Sequence, residues 1–315
     1  MGRRTKIAAF LILTLVVLMQ GKEASAQQDP MYTQYMDNLQ VINPGYAGSQ
    51  GIGNILMVAR SQWVEFDGAP ATRSFTYNTS FDEKNVGVGF SLMSDRIGPL
   101  KQTGFYADYS YFLKVSEKFK LAFGLKGGVS FYRANLVALK TVDADPVFSR
   151  DIYENFLPNI GVGMYLFSEN TYFGLSVPKL IENTITHEDV TTDYINKQLM
   201  HVYLVAGQRF DFNQDFQLKT NGMMRWVSGA PASFDMTVMG GFRDKFWVGA
   251  MYRFDDAYGM LVKFNPSPKM SIGYSYDITI SELSAFNNGT HEIMFSYNLD
   301  LFGRGRDHQP ETAAK

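Results

Sequence analysis

Met270-Ser271-Ile272-Gly273-Tyr274-Ser275-Tyr276-Asp277-Ile278 alternates without a break between large apolar side chains and small or polar ones. Successive side chains of a strand point to opposite sheet faces. Met270, Ile272, Tyr274, Tyr276 and Ile278 therefore share one greasy face, and Ser271, Gly273, Ser275 and Asp277 share a small, polar one. The same reading applies to Leu121, Phe123, Leu125, Gly127, Val129 and Phe131 against Ala122, Gly124, Lys126, Gly128 and Ser130. It returns near the C-terminus, with Ile293, Phe295, Tyr297 and Leu299 set against Met294, Ser296 and Asn298. No helical periodicity of comparable length occurs.

Segments of this kind recur near 53–63, 72–81, 85–95, 103–114, 119–133, 158–167, 171–178, 198–211, 216–227, 232–242, 246–254, 257–264, 270–278 and 289–301. They predict about fourteen antiparallel strands, an even number that returns both strand termini to one side. The connections alternate too. Asp82-Glu83-Lys84, Ser116-Glu117-Lys118, Ser168-Glu169-Asn170, Asn213-Gln214-Asp215, Arg243-Asp244-Lys245 and the stretch from Asn265 to Lys269 are short and polar. The intervening ones are generally longer, notably Ala134 to Leu157, Lys179 to Lys197 and Thr279 to Asn288. Tight periplasmic turns and long surface loops are the pattern of outer-membrane barrels. A sheet in lipid has no water for its edge amides, so it must close on itself and turn its apolar face to the bilayer. A soluble two-sheet sandwich would bury that face instead, and it accounts for neither the loop asymmetry nor a polar face so rich in Gly and Ser.

Composition agrees. Of the residues 15% are aromatic and only 19% charged, with 25 Phe, 18 Tyr and 28 Gly, and soluble domains carry about a quarter charged. Phe81, Tyr132, Phe210, Trp226, Phe254 and Phe264 fall near strand ends, where aromatic residues form interfacial girdles, although β-propensity alone also places them there. Cysteine is absent, which excludes thiol catalysis, thiolate metal sites and disulfides. The formal net charge is -2 and the mature chain has no basic run, so nucleic acid is not an expected partner.

The first residues read as an export signal. Arg3, Arg4 and Lys6 precede an apolar run from Ile7 to Met19, and Ala24-Ser25-Ala26 is an A-x-A cleavage site. That run is shorter than the roughly 20 residues of a spanning helix. The expected organisation is a signal peptide at 1–26, an N-terminal periplasmic or plug segment at 27–50, an outer-membrane barrel at 51–302 and a polar periplasmic tail at 303–315. The 27–50 segment lacks clean alternation, yet its Tyr32, Tyr35 and Tyr46 suit packing in the barrel mouth or against a periplasmic partner.

Candidate chemistry is sparse. His187, His201, His291 and His308 show no metal-ligand spacing, and His187-Glu188-Asp189 reads as a solvated loop cluster. Asp143-Ala144-Asp145 lacks the Gly and Glu that a calcium loop needs at later offsets. The G-x-G pieces at Gly87-Val88-Gly89 and Gly161-Val162-Gly163 lie inside strands. No cofactor, metal or catalytic residue is expected, although a triad assembled from distant residues would be invisible in sequence. One internal echo remains: Trp63-Val64 precedes Gly68-Ala69-Pro70-Ala71, and Trp226-Val227 precedes Gly229-Ala230-Pro231-Ala232. Both fall in surface hairpins. Repeated turn chemistry explains them plainly, and a shared docking surface for an extracellular ligand is the sharper reading.

Two stretches resemble a known family. DPMYTQYMDNLQVINPGYAGS (Asp29 to Ser49) and RSQWVEFDGAPATRSF (Arg60 to Phe75) are similar to the opening of the PorP/SprF family of Bacteroidetes membrane proteins. The matching positions are Asp29, Pro30, Thr33, Gln34, Tyr35, Met36, Asn43, Pro44, Tyr46, Ala47 and Gly48, then Arg60, Gln62, Trp63, Phe66, Asp67, Gly68, Ala69, Pro70 and Thr72. The chain departs from the family pattern at Gly45, often Ala, and at Glu65, often Gly. The resemblance implies a bacterial outer-membrane barrel of the type IX secretion system. It would anchor periplasmic machinery or help to export or retain a secreted protein such as a gliding adhesin. Its partners would be type IX periplasmic components, a secreted surface protein and outer-membrane lipid. Asp29, Pro30, Gln34, Tyr35, Asn43, Pro44, Tyr46 and Gly48 are the candidate contacts on the periplasmic face. Trp63, Asp67, Gly68, Ala69, Pro70, Trp226, Gly229, Ala230 and Pro231 are those on the outer face. A passive porin is the alternative, with Tyr106, Trp247 and Met251 as lumen residues able to occlude it.

Overall fold

The computed structural model describes residues 30–137, 151–185 and 196–299. The signal-peptide and tail expectations, Asp29, Asp143 to Asp145 and His187 to Asp189 lie outside them. The strands are β1 (Gly53–Ser61), β2 (Ala71–Phe81), β3 (Val86–Ile97), β4 (Leu100–Lys114), β5 (Lys120–Ala134), β6 (Ile152–Phe167), β7 (Thr171–Val177), β8 (Thr184–Ile185) and β9 (Asn196–Lys197). They continue with β10 (His201–Asp211), β11 (Phe216–Val227), β12 (Ser233–Phe242), β13 (Phe246–Arg253), β14 (Ala257–Ser267), β15 (Met270–Thr279) and β16 (Thr290–Leu299). All but β8 and β9, which pair as a separate ribbon, close into one antiparallel barrel. Its seam joins the first strand to the last, from Gly53 opposite Leu299 to Ser61 opposite His291.

The faces are those of a membrane barrel. On β15 the apolar Ile272 and Ile278 are 41% and 45% exposed, while Ser275 and Asp277 are buried at 0% and 2%. Leu125, Ile160, Val248, Met260 and Ile293 likewise point outward. A sandwich would bury this set. Here it forms a continuous outer band, which water would penalise heavily and hydrocarbon does not. The backbone polar groups pair around the full circle, the one sheet arrangement that survives in lipid.

Residues 30–50 occupy the lumen. Their only regular pieces are α1 (Leu39–Ile42) and a 3-10 turn over Pro44–Tyr46, whose Asn43 side chain accepts from the Gly45 amide. Tyr32, Tyr35, Leu39, Ile42 and Tyr46 pack with Leu56, Val58, Phe112, Tyr165 and Met294 of the wall in one buried cluster. The wall is cut to fit. A Cβ on Gly87 would overlap the Ala47 carbonyl, one on Gly124 would overlap the Pro44-Gly45 backbone, and one on Gly273 would overlap the Gln34 side chain.

Three details differ from the sequence reading. Strand β6 begins at Ile152, six residues before the expected start, because Pro158 and a register shift between Ser130 and Tyr132 interrupt the alternation. Tyr132 is buried in the barrel rather than set in a girdle, as its parity with Ser130 and Lys126 requires. The connection between β3 and β4 is only Gly98 and Pro99, so the loop asymmetry rests on the other long connections at that end.

Candidate functional site

The lumen segment is pinned near the loop end by three charged wall residues. Arg60 on β1 lies opposite Glu292 on β16 across the seam, and Asp277 is on neighbouring β15. Arg60 donates from Nη2 to Asp277 at 2.9 Å and from Nη1 to Glu292 at 3.2 Å, with side-chain exposures of 2% or less. Glu292 also accepts the backbone amides of Thr33 and Gln34 at 2.9 and 2.8 Å, one on each oxygen. The Thr33 hydroxyl completes the set, donating to Asp277 at 2.6 Å and accepting from Arg60 at 2.6 Å. Charges this deep are tolerated only when paired and hydrogen-bonded. The plug supplies the donors that the second carboxylate would otherwise lack.

Further contacts tie the segment around the circle. Gln40 donates to Asp108 at 3.1 Å and to the Tyr77 and Phe90 carbonyls at 3.2 Å. Lys126 pairs with Asp108 at 3.0 Å, and the Asn43 side chain reaches the Met164 carbonyl at 3.0 Å. Lys263 binds Asp37 at 2.6 Å, and the Gly48 amide meets Asn78 at 3.1 Å near the turn end. A separate buried pair joins Arg253 to Asp235 at 2.9 Å. Gln34, Tyr35, Asn43, Pro44, Tyr46 and Gly48 are thus all buried in the lumen. They face the barrel's own wall.

At the loop end lies a cavity of about 1050 Å³. Gln62, Trp63 and Pro70 line one side, and Arg225, Ala230 and Pro231 another, while Pro30 and Met31 of the lumen segment line it from within. The Arg225 guanidinium contacts Met31 Sδ at 2.8 Å. The two Gly-Ala-Pro tips, separated in sequence by β2 to β11, therefore border one space. Gly68 and Gly229 have φ of 75° and 85°, so each tip needs glycine at its turn. Trp63 and Glu65 have φ of 49° and 72°, a costly conformation for non-glycine residues that persists where the surroundings impose it. The Val64 amide donates to the Gly289 carbonyl and the Asn288 amide to the Val64 carbonyl, both at 2.9 Å, and these bonds hold the first tip against the last loop. Asp67 and Gly68 are exposed at its summit, and Trp226 is 49% exposed on the outer face of β11.

The two histidines within the described residues form no recognisable triad. His201 Nδ1 lies 3.0 Å from the Leu199 carbonyl and His291 Nδ1 lies 2.7 Å from the Tyr274 hydroxyl. Among the described residues no group of His, Asp and Glu is arranged to hold a metal ion. The charged lumen residues Arg60, Asp277, Glu292, Asp108 and Lys126 were not singled out as a site in the sequence. Their signal was present as charge on the small, polar face of strands that otherwise carry Gly and Ser.

Several solved outer-membrane proteins share the barrel form at low similarity. Omp33 of Acinetobacter baumannii is 8% identical with a TM-score of 0.46, over 79% of this chain and 98% of that one. The monoaromatic hydrocarbon channel CymD is 11% identical with a TM-score of 0.49, over 89% and 96%. The toluene transporter TodX of P. putida is 8% identical with a TM-score of 0.46, over 90% and 97%. No curated protein matches the chain. The profile of one family matches residues 24–297, nearly the whole barrel with its lumen segment. The chain is an outer-membrane β-barrel and belongs to the family of type IX secretion system membrane proteins, PorP/SprF.

Proposed function

We propose that this barrel is a plugged, non-conducting anchor, with its turn end meeting periplasmic type IX components and its loop end meeting a secreted surface protein. The observation that carries this reading is the lumen segment. Apolar packing and buried hydrogen bonds hold it from the loop end, at Thr33, to the turn end, at Gly48. Tyr106, Trp247 and Met251 are buried beneath the wall as well. Packing of this kind narrows the lumen, which speaks against the passive porin.

Binding then belongs to the two rims. The loop-end cavity is bordered by tips built on rigid strands, and loops positioned by a scaffold are the usual seat of recognition. At the opposite rim, short turns such as 115–119 and 243–245 carry Glu117, Lys118, Arg243 and Asp244 on exposed positions. No bond is made or broken in this mechanism. Affinity purification of the full chain from membranes, with identification of what accompanies it, is the test. Recovery of type IX periplasmic components with a large secreted protein is expected. Loss of the secreted protein alone is expected when Ala69-Pro70 and Ala230-Pro231 are replaced together by Ser-Ser. Recovery of neither class from the unaltered chain contradicts the reading.

A further inference from the structure

The cavity between the two Gly-Ala-Pro tips has apolar walls and acidic open charges. Trp63, Pro70, Ile97, Pro231, Phe234 and Phe254 are among its lining. The tight turn 254–256 between β13 and β14 adds Asp255 and Asp256. Two bonds hold that turn: the Phe254 amide donates to the Phe234 carbonyl at 2.9 Å and the Asp256 amide to the Arg253 carbonyl at 3.2 Å. The charged side chains of the lining are Asp95, Asp255 and Asp256 against Arg225 and Arg253. Both cations are buried. Arg253, 2% exposed, donates to both oxygens of Asp235 and pairs with Asp256 at 3.4 Å, and Arg225, 5% exposed, lies against Met31 Sδ. The carboxylates are more open. Asp255 is exposed, while Asp95 and Asp256 are half-buried. The Thr72 hydroxyl donates to Asp95 at 2.6 Å and so fixes one of its oxygens. Arg96, the next residue, alternates to the outer face of β3, and Glu65 and Asp67 on the first tip are exposed acids.

We infer that this cavity takes a basic, extended segment of the secreted protein, whose Lys or Arg side chains meet Asp95, Asp255 and Asp256 while its apolar side chains lie on Trp63, Pro70, Pro231 and Phe234. The inference deepens the loop-end contact proposed above and rests on it. The space of about 1050 Å³ exceeds the roughly 300–1,000 Å³ of small-molecule sites and suits a stretch of chain. Charge selects which chain. With both cations buried, the accessible carboxylates attract a cationic segment and repel an acidic one. The aromatic walls favour the same choice, since a cation is attracted to the face of a Trp or Phe ring. The turn that carries Asp255 and Asp256 is already held by its backbone bonds, so little ordering is lost when a segment binds.

The test titrates the full chain, in nanodiscs of zwitterionic phosphatidylcholine, against end-labelled peptides of alternating Lys and Phe, Gln and Phe, or Glu and Phe, read by fluorescence anisotropy. The Lys peptide is expected to bind about tenfold more tightly than the Glu peptide, with the Gln peptide between them, and to weaken as salt rises. Asp95→Asn combined with Asp255→Asn is expected to weaken the Lys peptide by about five- to tenfold. Glu117→Gln, on a turn at the opposite rim, is expected to leave it unchanged. Asp255→Asn alone separates lost charge from lost fold, because asparagine also accepts the left-handed backbone of this exposed position. It is expected to weaken the Lys peptide by about two- to threefold with the heat-dependent gel shift intact. Equal binding of the Lys and Gln peptides, tighter binding of the Glu peptide or of lipopolysaccharide, absence of Lys-peptide binding, or indifference to the Asp95 and Asp255 substitutions overturns the inference. Affinity purification separates its failure from that of the reading beneath it. If the unaltered chain recovers a secreted protein and the double variant recovers as much, the basic segment is refuted and the loop-end contact stands. If the unaltered chain recovers none, both fall.

Discussion

Glu292 joins the barrel wall to the lumen segment near the loop end. Its side chain is fully buried and serves Arg60 and the Thr33 and Gln34 amides at once. Replacing it with alanine leaves the Arg60 charge short of a partner and two amides without an acceptor. Breaking a buried pair in this way costs about 3–5 kcal/mol. A Glu292→Ala protein refolded into vesicles is expected to lose that much in urea titration, read by the heat-dependent shift in gel mobility. Glu117→Ala removes the exposed partner of Lys114 and is expected to leave the midpoint in place. Equal midpoints for both variants would show that the Thr33–Gln34 contact does not secure the plug.

Within a single strand, β5 carries both faces of the account. Gly124 and Gly127 are three residues apart, and a Cβ at Gly124 meets the Pro44-Gly45 backbone whereas one at Gly127 meets nothing within 4 Å. Gly124→Ala is expected to destabilise by about 1–3 kcal/mol through overpacking, and Gly127→Ala to be neutral in the same titration. On the outward face, Leu125 is 59% exposed. Leu125→Lys is expected to cost about 2–4 kcal/mol in a bilayer, as a cation does near the midplane of a barrel's lipid face. Folding of Leu125→Lys in vesicles as readily as the unaltered chain would contradict the lipid-facing assignment. The alternation that predicts these contrasts was legible in the sequence, since period two needs only neighbouring residues. The plug's path was not, because its contacts join residues as far apart as Thr33 and Glu292. The start of β6 was lost to Pro158 and a bulge. Tyr132 was legible and misassigned, since its parity with Lys126 already placed it inside.

For the whole molecule, a closed barrel with an apolar exterior is common to channels and anchors alike, and the outer surface does not separate them. The lumen does. A pore needs a wetted path lined by polar groups, whereas this lumen packs tyrosine, leucine and methionine against the 30–50 segment and pairs its charges internally. The plug also makes the barrel's two rims unlike, one bearing Pro30, Met31 and the longer loops, the other the short turns and the strand ends. That asymmetry suits a protein joined to different partners on the two sides of the membrane. Conductance of the purified full-length protein in a planar bilayer tests the plugged lumen most directly. The account predicts silence at moderate voltage, and stable, long-lived open channels from the unaltered chain would contradict it.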